Sequence, residues 1–178
     1  MMTAADRDFL LKNLEDGRDA FLCSFAGLSE AQLHFKPQPD RWSIAECIEP
    51  IAIAEDAIYA RATHGAPNPN GVPLDPEKET RFAAAVVARR KRVVAPEPMR
   101  PAEQFTSVEQ ARDHFLEGRR RAIAYVRECA EDVRHLFAVH PLLGEIDCYQ
   151  FLLLLALHPA RHAAQIEEIK SDPAFPKA

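Results

Sequence analysis

No CxxC pair occurs in this chain. Its four cysteines, Cys23, Cys47, Cys129 and Cys148, are scattered, and in a chain of 178 residues they read as buried thiols rather than a disulfide frame. Apolar runs of membrane length are missing. Phe151 to Leu157 is seven residues, against the roughly 20 that a spanning helix needs. Basic sequence is also scarce. Arg89-Arg-Lys-Arg92 and Arg119-Arg-Arg121 are the dense runs, and the formal net charge is −5, which argues against a general binder of nucleic-acid backbones. Both runs read as solvated helix faces. No GxGxxG, P-loop, GxSxG or HExxH segment is present, so the chemistries those spacings serve have no sequence support here. The opening Met-Met-Thr-Ala-Ala-Asp holds an acid and no apolar core of signal-peptide length. The expected location is therefore cytoplasmic.

What is present is helical pattern, broken by proline. Residues 6–26 carry apolar positions at helical period and stop near Gly27. Ser29-Glu-Ala-Gln32 has the spacing of a capping box, and so, more cleanly, does Ser43-Ile-Ala-Glu46. The second box predicts a helix over 44–63 with Ile44, Cys47, Ile48, Ile51 and Ile58 inward and Pro50 in its interior, where one hydrogen bond must be lost. Residues 64–75 are rich in proline, asparagine and glycine and read as a loop. Asp75-Pro76 starts a helix expected to run to about Val94, and Ser107 starts another that ends near Ala130. No segment alternates as a strand should. The expected fold is all-α: an up-and-down four-helix bundle with a long crossover and one shorter inserted helix, residues 1–178 forming a single domain.

The stretch from Ile146 to Ile169 stands apart. From Phe151 to Leu157 it is apolar on every side, so it must be buried against several partners. Asp147 with Gln150 is placed to cap it. It then presents His158 and His162, four residues apart on the row that runs back through Leu154, one turn and roughly 6 Å along the axis. Two inward imidazoles at this spacing suit a shared metal ion, a polar cluster or a plain buried hydrogen-bonded pair.

Trp42-Ser-Ile-Ala-Glu-Cys-Ile-Glu49, then His140-Pro-Leu-Leu-Gly144, then His158-Pro-Ala-Arg-His162-Ala-Ala-Gln-Ile166 resemble, in order and spacing, the signatures of the DinB-like superfamily. The resemblance implies a four-helix bundle with an unusual crossover and a homodimer. It also implies a divalent metal, zinc or nickel, held by one histidine of the second long helix and two of the last. Its activities would be those of a metal-dependent hydrolase or a thiol-dependent transferase. The last-helix pair falls on His158 and His162. The second-helix histidine falls on Pro50, which has no ligand atom, and Pro159 interrupts the HxxxH itself.

The ligand set is thus one short of the three that a catalytic zinc usually takes. Cys47, three residues before Pro50 and expected on the same inward face, is the candidate third ligand. Its plainer reading is a small buried hydrophobe. Glu46 is accounted for by its cap. Glu49 and Glu55 are rotated roughly 100° and 140° from Pro50 and are expected to be exposed. His140 is expected to order its loop, and His34, His64, His114 and His135 to be surface residues. The reading that follows is a DinB-like bundle with a degenerate metal site, binding a divalent metal or a small molecule in the bundle pocket. It would have no membrane or nucleic-acid partner. The alternative is an active hydrolase or transferase using His158, His162 and a substitute ligand.

Overall fold

The computed structural model describes residues 1–88 and 104–177. Side-chain caps start the helices where the sequence places them. Thr3 caps α1 (Ala4–Phe25), which ends ahead of Gly27 at φ 72°, and Ser29 caps the single turn α2 (Glu30–Leu33). Ser43 and Glu46 exchange bonds of 3.2 and 2.8 Å to open α3 (Ile44–Thr63), with Pro50 inside it. The loop that follows holds a two-residue strand, β1 (Ala66–Pro67). Asp75 and Pro76 begin α4 (Pro76–Val87). This helix stops short of the expected end: Ala88 is already extended, and residues 89–94, with the first basic run, lie outside the described residues. Ser107 caps α5 (Val108–Glu128). Two strands missing from the sequence reading follow, β2 (Leu136–His140) and β3 (Gly144–Asp147). They form an antiparallel hairpin with β1 on the outer side of β2. Asp147 and Gln150 then open α6 (Cys148–Lys170).

α1, α3, α5 and α6 make the bundle, and the hydrogen bonds between them give its directions. Tyr149 reaches Asp6 and Lys170 reaches the carbonyl of Ser24, so α1 and α6 run the same way. Cys148 Sγ meets the carbonyl of Arg61 at 3.4 Å, so the end of α3 lies beside the start of α6. Tyr59 stacks edge-on against Tyr125, and the Gln104 amide reaches Glu49, so α3 and α5 run together. The long crossover between α3 and α5 makes that parallel pair possible.

The core is divided. One apolar cluster holds Leu10, Leu14, Ile58, Val126 and every residue from Phe151 to Leu157. The other holds Phe21, Cys47, Ile51, Phe115, Ile166 and Ile169. Each bundle helix passes from one cluster to the other within a few residues: between Leu14 and Phe21, Ala52 and Ala54, Phe115 and Ala122, and Leu157 and Ile166. Those four intervals contain Gly17, Arg119, His158 and His162, with Glu55 immediately beside its own. A polar layer therefore crosses the middle of the bundle.

Candidate functional site

Proline sets the geometry of this layer. Pro159 has no amide, so the carbonyl of Leu155 loses its helical partner. A buried carbonyl left unpaired costs about 1–3 kcal/mol. Arg119, fully buried on α5, replaces the missing donor: both Nη1 and Nη2 give hydrogen bonds of 3.1 Å to Leu155 O. Nη2 also donates to Glu55 Oε2 at 2.9 Å. One guanidinium thus joins α3, α5 and α6. Gly118 admits the carboxylate, since a Cβ there would lie 2.8 Å from Glu55 Cγ. Gly17 lets α1 close on the break in α6, where a Cβ would sit 2.8 Å from the carbonyl oxygen of Ala156.

Two expectations are corrected here. Glu55 is not an exposed charge but 3% exposed, and Arg119 does not belong to a solvated face. The neighbouring Arg120 and Arg121 do lie outward, on Glu117 and Asp56. A signal for Arg119 was available. It stands four residues after Phe115 and three before Ala122, on the buried stripe of its helix. Burial pushes the Glu55 carboxyl up to about 7, with Asp56 adding to the rise and Arg119 and Arg121 opposing it. Burial likewise lowers the Arg119 guanidinium.

His158 and His162 meet as the sequence suggested. Their Nε2 atoms are 3.1 Å apart, with the rings edge to face. One Nε2 carries a proton and donates it to the other. Burial, followed by the charges of Arg161, Arg119 and His140, pushes His158 down to about 4. The ring is therefore neutral at ordinary pH. Arg161, on the same turn, donates to the carbonyl of Ala88. His140 does what was expected of it: its Nδ1 accepts the amides of Leu142 and Leu143, each at 3.2 Å, and closes the hairpin turn.

The metal that the resemblance implies can be tested against these residues. Two nitrogens on one tetrahedral zinc stand about 3.3 Å apart, so the histidine pair has a suitable bite. The rest does not fit. Pro50, buried where the third ligand is expected, offers no donor. Cys47 is packed in the apolar cluster of Phe21 and Ile51. Among the described residues no three His, Cys, Asp or Glu side chains form a group that could hold a metal ion. The guanidinium charges of Arg161 and Arg119 act on His158, and like charge disfavours a dication there.

The remaining sequence expectations divide. Cys129 and Cys148 are buried as read, but Cys23 is exposed. His34, His64 and His135 are exposed, and His114 lies 2.7 Å from Asp56 at the surface. Two clefts, of about 430 and 490 Å³, lie away from the pair, one lined by Asp6, Glu79 and Arg134 and the other by Leu22, Phe25 and Leu116. Among the described residues no helix is long and apolar enough to cross a membrane.

Three comparisons bear on this arrangement. YfiT from Bacillus subtilis, described as a probable metal-dependent hydrolase with an unusual four-helix bundle topology, superposes with a TM-score of 0.64 at 14% identity, over 99% of this chain and 92% of its own. YuaE of Bacillus subtilis strain 168, an uncharacterised protein, is 26% identical over 148 residues, 81% of this chain and 86% of the relative. The profile of the DinB superfamily matches residues 13–166. This chain belongs to the DinB superfamily.

Proposed function

We propose that this bundle keeps the histidine pair of a metal centre without the centre itself, and that it binds a small molecule without metal-dependent catalysis. The observation that carries the reading is the donor set: two imidazoles bonded to each other on α6, and a proline at the α3 position where a third ligand is expected. With two ligands rather than three, zinc affinity falls steeply. The Nε2 separation of 3.1 Å and the likeness to YfiT favour a second reading, a metal-dependent hydrolase or thiol transferase that recruits a further ligand. The homodimer implied by family likeness is part of the first proposal and is read by sedimentation. To separate the two readings, the chain is purified without a histidine tag, supplied with zinc or nickel, and its bound metal counted. The first reading expects well under one ion per chain, unchanged by His158→Ala. One tightly held ion, lost in that variant, would overturn it.

A further inference from the structure

The polar layer already contains a fixed cation. Arg119 is fully buried and bonded to α3 through Glu55 and to α6 through Leu155 O. These are the two helices that a metal held by position 50 and the histidine pair would join. Leu155 lies one turn before His158, so the guanidinium sits beneath the histidine turn, and His158 responds to its charge.

The geometry of the fork shows how far Arg119 is committed. Its two terminal nitrogens share Leu155 O, and the hydrogen left on Nη2 turns to Glu55. Its Nε and Glu55 Oε1 are buried without a bond. Bonds to both helices hold the charge in the layer. The guanidinium repels a dication at the histidine pair, and Glu55, whose carboxyl burial raises to about 7, offsets that repulsion only in part.

We propose that Arg119 fills, from within the chain, the cation position between α3 and α6: it cross-links those helices as a metal would, and it turns a divalent metal away from His158 and His162. This inference rests on the metal-independent reading and adds a cause to it. The loss of a ligand at Pro50 is then only half of the change, and the guanidinium is the other half.

The test separates the two halves in the full-length, untagged chain. Pro50→His supplies the third imidazole and leaves the charge. Pro50→His with Glu55→Gln and Arg119→Gln supplies the imidazole and removes the ion pair together. Zinc binding is measured by calorimetry, and cobalt binding by its visible absorption, which reports imidazole coordination. The expected result is weak binding by Pro50→His alone and an affinity on the order of a hundredfold higher in the charge-free variant. Equal affinity in the two, whether tight or weak, overturns the role given to Arg119. Should the charge-free variant unfold, Pro159→Ala is added to both chains to return an amide to Leu155 O, and the same comparison decides. Tight zinc binding by the unsubstituted chain defeats the metal-independent reading itself. Tight binding by Pro50→His alone defeats only the Arg119 proposal.

Discussion

His158 and Glu55 pull the stability of this protein in opposite directions as pH changes. His158 titrates at about 4 in the folded chain against an ordinary 6.5. Its contribution is complete above 6.5 and is lost as pH falls toward 4, by up to about 3 kcal/mol. Glu55 titrates at about 7 against an ordinary 4.5. Its contribution is complete below 4.5 and is lost as pH rises through 7. Between those limits the two slopes offset each other. Urea denaturation from pH 4.5 to 6.5 should therefore show a nearly flat stability in the native chain. Glu55→Gln should expose a loss toward acid, and His158→Gln a loss toward neutrality. Identical pH profiles in all three proteins would show that neither group is perturbed in this way. His140 offers a simpler test. It holds two turn amides, so His140→Ala should cost about 1–2 kcal/mol and speed hydrogen exchange at Leu142 and Leu143.

At the scale of elements, α6 tolerates an interior proline because α5 supplies the missing donor. A double-mutant cycle measures this directly. Arg119→Met should be strongly destabilising alone, by about 3–5 kcal/mol, because it strands a buried carboxylate and a buried carbonyl. In a Pro159→Ala background the carbonyl regains an amide, and the same substitution should cost at least about 1 kcal/mol less. Additive costs would mean that the two sites are not linked. Gly17→Ala should also destabilise, since its Cβ would press within 2.8 Å of a backbone carbonyl on α6, at a cost of about 1–3 kcal/mol.

Much of this level was legible from local chemistry. The caps at Ser43, Asp75, Ser107 and Asp147 start their helices as expected, because a cap is decided by residues three apart. The hairpin was hidden: its strands are five and four residues long and show no clean alternation of buried and exposed positions. The Glu55–Arg119 pair was hidden for another reason. Its partners are 64 residues apart, and a charged residue on a helix reads as solvated until its long-range partner is known. The histidine pair was legible because its spacing alone brings the rings together, whereas the fate of the third ligand depended on what surrounds Pro50 in space.

At the scale of the molecule, the bundle helices enclose two apolar cores separated by a polar layer. That layer holds the bonded imidazoles of His158 and His162 and a buried arginine. The most direct test is to record the ring nitrogen resonances of His158 and His162 at pH 7 while adding one equivalent of zinc. The account predicts one Nε2 protonated and one not, with both sets of signals unmoved by the metal. Loss of that proton and a joint shift of the Nε2 signals, complete at one equivalent, would contradict it.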